Sequence, residues 1–162
     1  MPDNRLSDNV FQLYFKRFGS CVYLLKIGKD NILIDTSSKD NSDELTHELK
    51  KLKVEPEDIH IILLTHNHYD HIGNLSLFKN AKVYDYHNID KLALILFRVI
   101  KTPGHTNDSL CYLYKNILFS GDTLFHNGIG RTDLLDSNPE KMQESLNKLK
   151  KIHYEILAPG HI

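Results

Sequence analysis

Hydrophobic and polar positions change period several times along the 162-residue chain, and each change marks an element. Residues 11–15, 21–27 and 31–35 are short runs of β-branched, aromatic and other apolar side chains, which predicts three strands. Gly28-Lys29-Asp30, between the last two, predicts a hairpin turn. Ser42 then offers an N-cap, with Asp43 and Glu44 in the first turn, where the helix dipole favours negative charge. Leu45, Leu49 and Leu52 follow at i, i+4 and i+7, so this helix buries one stripe. Lys50, Lys51 and Lys53 form a solvated C-terminal end. Pro56 breaks the pattern, and the apolar run 59–64 predicts a central buried strand.

The second half repeats the alternation. Short strands are expected at 81–84 and 94–100, with a hairpin pairing 109–114 and 117–120. Residues 125–136 contain Gly and Asn and read as a loop. Ser137-Asn138-Pro139-Glu140 has the S-x-x-E capping box with proline in the first turn, and Met142, Leu146 and Leu149 form the apolar stripe of a second helix. A last strand is expected at 155–158. Interleaved strands and helices in both halves predict an α/β fold, with helices packed outside a sheet core and two sheets back to back. The length fits a single domain over residues 1–162, with no linker or short-period repeat.

Composition narrows the function classes. Hydrophobic residues make up 41% and charged residues 25%, as in an ordinary globular protein. The net charge of −1, from 20 basic and 21 acidic residues, gives no basic footprint for nucleic acid, so no nucleic-acid partner is expected. The same low charge permits self-association, and a homodimer is the assembly it allows. No run of about 18 apolar residues predicts a membrane span. The polar start Met1-Pro2-Asp3-Asn4-Arg5 lacks the apolar core of a secretory signal. Cys21 and Cys111 both lie in apolar runs and are expected as buried core thiols. The cytoplasm is the expected compartment.

The chemistry concentrates in seven residues. His66, His68, Asp70 and His71 stand in Thr65-His66-Asn67-His68-Tyr69-Asp70-His71, directly after the run 59–64. His105 follows in Thr102-Pro103-Gly104-His105-Thr106, Asp122 in Ser120-Gly121-Asp122-Thr123, and His161 in Pro159-Gly160-His161. His66 and His68 lie two apart, so in extended chain they project to one side. Asp70 and His71 fall where the strand gives way to a turn or helix start, and Gly73 allows a tight path there. His105, Asp122 and His161 each follow a glycine near the end of a strand-like run. Five imidazoles and two carboxylates exceed the needs of one tetrahedral ion, so two adjacent metals are expected. Imidazole and carboxylate favour zinc and tolerate iron or manganese, with no thiolate to force the choice. His47, His60, His87, His126 and His153 lack such context and read as surface or satisfied histidines.

These motifs resemble the metallo-β-lactamase superfamily, whose pattern is T-H-x-H-x-D-H followed by a histidine, a bridging aspartate and a last histidine. The likeness runs from Gly19-Ser20-Cys21-Val22-Tyr23-Leu24 through Ile32-Leu33-Ile34-Asp35-Thr36 to His161. Ser120-Gly121-Asp122-Thr123-Leu124-Phe125 and Gly128-Ile129-Gly130-Arg131-Thr132-Asp133 look like the glyoxalase II-like (hydroxyacylglutathione hydrolase-like) branch. The resemblance implies a four-layer αβ/βα sandwich, here C-terminally short and without the helical domain that helps glyoxalase II hold glutathione. It also implies that His66, His68 and His105 hold one metal, that Asp70, His71 and His161 hold the other, and that Asp122 bridges them. Asp70 and Asp122 are then the catalytic carboxylates, and Asp35 supports the ligands from behind. Arg131 is expected to brace its own loop. The implied activity is hydrolysis of a small thioester or ester by a metal-bridging hydroxide, most like a glyoxalase II thioesterase, with zinc as the metal. A lactonase, a mononuclear-iron persulfide dioxygenase and a phosphodiesterase or nuclease are the alternatives within the same superfamily.

Overall fold

A computed structural model describes residues 4–93 and 96–162. The chain divides into two compact units, Met1–Tyr84 and Asp85–Ile162.

The first unit is built on one six-stranded sheet. Its strands are β1 (Arg5–Ser7), β2 (Val10–Leu13), β3 (Val22–Ile27), β4 (Asp30–Ile34), β5 (Ile59–Leu63) and β6 (Lys82–Tyr84), neighbours in that order. The first four form an antiparallel meander, and β5 and β6 then join in parallel. Gly28, at φ +60°, makes the tight β3–β4 turn that the sequence predicted. Helix α1 (Ser42–Lys51) crosses over between β4 and β5 and buries Leu45 and Leu49 completely. They pack with Leu24, Leu33, Ile59 and Ile62, so the i, i+4 stripe of the helix seals one face of the sheet. Ser42 is the first helical residue rather than the cap, because a 3-10 turn at Lys39–Asn41 precedes it and puts Asn41 at the cap position.

The second unit carries a four-stranded sheet in the order β12-β9-β8-β7, formed by β7 (Phe97–Lys101), β8 (Leu110–Tyr114), β9 (Ile117–Gly121) and β12 (Ile156–Pro159). The expected strand at 94–100 therefore begins later, and residues 94–95 lie outside the described residues. The hairpin of β8 and β9 forms as predicted, and β12 adds in parallel beside β9. The stretch read as a loop contains one small hairpin, β10 (Leu124–Phe125) with β11 (Gly128–Ile129). Helix α3 (Pro139–Leu149) covers the sheet with Met142 and Leu149 buried.

Two details of α3 differ from expectation. Its N-cap is Asn138, whose side chain accepts from the Lys141 N–H at 2.9 Å. Proline at the first helical position fixes the start one residue later than the S-x-x-E pattern implies, and Ser137 instead donates its hydroxyl to the His105 carbonyl at 2.7 Å. The third inward position is Ser145, not Leu146, since the Ser145 hydroxyl donates to the Pro103 carbonyl at 2.7 Å. Both cysteines are buried, and neither forms a disulfide. Among the described residues no helix is long and apolar enough to cross a membrane.

Candidate metal centre

In the first unit the chemistry begins where β5 ends. His66 is buried and His68 half-buried, while Asn67 and Tyr69 between and beyond them face outward. The alternation is that of extended backbone, and it brings the His66 and His68 rings to 4.6 Å between centroids. A one-turn helix, α2 (Tyr69–Ile72), then starts at His68, whose carbonyl takes the N–H groups of His71 and Ile72. The change from strand to helix swings Asp70 and His71 inward. The His71 ring lies 4.1 Å from that of His66, and its Nε2 lies 3.8 Å from the Asp70 carboxylate.

That turn is clamped from the end of β4. The Asp70 carbonyl accepts the Ser20 N–H, and the His71 carbonyl accepts both the N–H and the hydroxyl of Thr36. Asn74, fully buried, donates to the carbonyls of Thr36 and Ser38 at 2.7 and 2.8 Å. Asp35 adopts a left-handed φ of +58°, an uncommon setting for a residue with a side chain. Its carboxylate takes the Thr65 N–H at 2.8 Å, the Thr65 hydroxyl at 2.7 Å and His71 Nδ1 at 2.8 Å. The sequence reading placed Asp35 behind the ligands but gave no role to Thr65, Thr36 or Asn74. Only the position of Thr65 at the head of the motif hinted at one.

These contacts fix the histidine tautomers. A carboxylate only accepts, so His71 carries its proton on Nδ1 and presents the Nε2 lone pair. Thr65 has given its one hydroxyl proton to Asp35, so its oxygen, 3.1 Å from His66 Nδ1, can only accept there. His66 therefore also presents Nε2.

The second unit repeats the device. His105 Nδ1 donates to the Arg131 carbonyl at 2.9 Å, which again leaves Nε2 as the lone-pair nitrogen. Gly130 lies tight against this pair. A Cβ there would collide with the Asp122 carbonyl oxygen and press His105 Cγ at 3.1 Å. Asp122 leaves the end of β9. A register shift between Ala158 and Pro159 and the bond from the Gly160 N–H to the Gly121 carbonyl draw His161 beside it. Asp122 Oδ2 then lies 3.5 Å from His105 Nε2 and 3.5 Å from His161 Nε2. Both distances exceed a good hydrogen bond. They match two ligands on one ion instead, since bonds of about 2.0–2.1 Å at a tetrahedral angle separate ligand atoms by roughly 3.4 Å.

Each unit thus gathers its share of the seven predicted residues. His66, His68, Asp70 and His71 cluster in the first, and His105, Asp122 and His161 in the second. The donors are imidazole nitrogens and carboxylate oxygens, with the lone pairs of His66, His71 and His105 fixed by hydrogen bonds behind them, a set that could hold zinc, iron or manganese. Arg131 points elsewhere: its guanidinium makes two bonds to Asp133, at 2.9 and 3.0 Å, on the surface of its own loop. That contact keeps the Asp133 carboxyl below its usual range and raises Arg131 further.

A metal-dependent hydrolase is the class these observations define. The sequence profile of the metallo-β-lactamase superfamily matches residues 16–98 and 89–161, and the chain belongs to that superfamily. It is 31% identical to a probable metallo-hydrolase of Methanocaldococcus jannaschii, over 80% of this chain and 70% of that protein. It is 34% identical to a hydroxyacylglutathione hydrolase of Francisella tularensis subsp. novicida, over 86% of this chain. The match spans about three fifths of that relative, 61% of its length. Among solved structures, the BLEG-1 B3 metallo-β-lactamase superposes with a TM-score of 0.78 at 25% identity, covering 94% of this chain and 91% of its own. The fold is the metallo-β-lactamase fold predicted from the motifs.

Proposed function

We propose that the two clusters belong to one domain, residues 1–162, and close into a binuclear zinc centre that hydrolyses a small thioester or ester. His66, His68 and His105 hold one ion, Asp70, His71 and His161 hold the second, and Asp122 joins them. The observation that carries this reading is Asp122 Oδ2 standing equally distant from His105 Nε2 and His161 Nε2, at 3.5 Å each. Those two histidines belong to different halves of the proposed centre, so the oxygen between them sits as a bridge should. The hydroxyacylglutathione hydrolase relatives support thioester cleavage as the reaction type.

When bound, the two ions acidify a water molecule and polarise the substrate carbonyl. The protein does the rest. Asp35 and the Arg131 carbonyl hold the His71 and His105 imidazoles in one tautomer, so these two rings need not reorganise on substrate binding. Asp122 orients the attacking oxygen between the two halves, and Asp70 accepts a proton as the tetrahedral adduct forms. Collapse of the adduct expels the thiolate or alkoxide and leaves the acid. The substrate is a small molecule, and nucleic acid has no part in this reading. Two buried cysteines outside any disulfide suit the cytoplasm, where thiols stay reduced.

The test couples metal analysis to turnover of four compounds: a lactoyl-glutathione thioester, a lactone, a phosphodiester and glutathione persulfide. The reading expects thioester or ester turnover with two ions per chain. A single iron with oxygen consumption on the persulfide would overturn it.

A further inference from the structure

Within the second unit, the β10–β11 hairpin and the segment after β12 enclose a groove of about 420 Å³. Phe125, His126, Asn127, Ile129, His161 and Ile162 line it. Its volume falls in the range of small-molecule sites, roughly 300–1,000 Å³. The Phe125 ring stands edge-on to His161, with centroids 6.2 Å apart, so one wall of the groove is in contact with a proposed metal ligand. The other apolar wall is Ile129, which is 46% exposed and pairs across the hairpin with Leu124. None of the described side chains lining the groove is a carboxylate, an ammonium or a guanidinium. Arg131, the cation closest in sequence, is held by Asp133 through both of its bonds.

A ligand group lying here would exchange water for Phe125 and Ile129, with the Asn127 amide and the His126 and His161 imidazoles as the polar side chains beside it. Glutathione carries two carboxylates, which such walls do not compensate. We propose that this groove receives the uncharged, apolar acyl chain of the substrate, so that the preferred substrates are medium-chain acyl thioesters or esters. The proposal rests on the assignment of His161 to the centre proposed above. The chain enters beside His161 and runs between Phe125 and Ile129, leaving the scissile carbonyl at the histidine end.

The experiment uses the metal-loaded full chain and a series of thioesters of one small thiol, N-acetylcysteamine, with acetyl, butyryl, hexanoyl and succinyl groups. The expected kcat/KM rises by up to about fourfold per added methylene, the burial of one CH₂. Butyryl is expected to exceed succinyl, which carries a charge at the chain end. Ile129→Asp collapses the hexanoyl-to-acetyl ratio, whereas Leu135→Asp, a fully exposed residue outside the groove, keeps it. A flat chain-length series, or a ratio unmoved by Ile129→Asp, would overturn the proposal. If no acyl thioester turns over, the hydrolase reading fails and the groove is judged by binding alone. Hexanamide then shifts the Ile129 methyl and His161 ring resonances while glutathione does not; no shift with hexanamide overturns the groove.

Discussion

Asp35→Asn removes one negative charge and almost no volume, so it isolates what the carboxylate does. Three donors converge on it: the Thr65 N–H on Oδ1, and the Thr65 hydroxyl and His71 Nδ1 on Oδ2. The backbone N–H cannot reverse, so the asparagine oxygen must stay opposite it. The new amide NH₂ then faces the Thr65 hydroxyl and His71. Threonine can rotate its proton away and accept, but His71 can accept only by moving its proton from Nδ1 to Nε2. That places hydrogen on the nitrogen proposed to bind metal.

All three hydrogen bonds to the charged acceptor, worth about 1.5–3 kcal/mol each, become neutral ones of about 0.5–1.5 kcal/mol, so the net destabilisation is about 3–4 kcal/mol. Metal affinity should fall by about 10–100-fold, the usual cost of losing a partner behind a ligand histidine. Urea denaturation reads the first effect and chelator competition the second, while ¹⁵N shifts of His71 report the tautomer. An Asp35→Asn protein that keeps His71 protonated on Nδ1 and binds metal as tightly as the wild type would refute the reasoning.

Three further outcomes follow from the same contacts. Gly130→Ala forces a methyl onto the Asp122 carbonyl and against His105; we expect about 1–3 kcal/mol of lost stability and up to about 100-fold lower hydrolytic turnover from the displaced candidate ligands, checked by denaturation and kinetics. Burial pushes the Cys111 thiol up to about 11, and burial raises Tyr23 in the same direction. Their neutral forms are favoured in the folded state, so the cysteine's contribution is complete below about pH 9 and is lost as pH rises toward 11, by about 3 kcal/mol, while that of Tyr23 persists to about pH 10 and is lost only above it. Urea midpoints across that range test this, and native Cys111 should resist alkylation at pH 8. Arg131→Ala should leave the urea midpoint unchanged within error, since its pair with Asp133 is exposed, while an NMR titration should show the Asp133 carboxyl returning upward to its ordinary range.

The candidate ligands stand out in the sequence because metal chemistry admits few residue types, and His66, His68, Asp70 and His71 crowd into six positions. The strands carrying them were legible for a similar reason: runs such as β5 are apolar along their whole length. Cap positions were less legible. Ser137 and Asn138 are both good capping residues, and the choice between them depended on the His105 carbonyl, 32 residues away in sequence. The inward place of Ser145 was hidden likewise, since a serine reads as polar until the Pro103 carbonyl is seen opposite it. The groove by His161 could not be read at all, because a hairpin of two-residue strands leaves no periodicity.

The central claim is that the seven residues hold two ions with Asp122 between them. Anomalous diffraction from crystals of the zinc-loaded protein tests it most directly. The account predicts two peaks per chain about 3.5–4 Å apart, one ligated by His66, His68 and His105, the other by Asp70, His71 and His161, with Asp122 reaching both. A single peak at full zinc loading, or two peaks with Asp122 bound to neither, would contradict it.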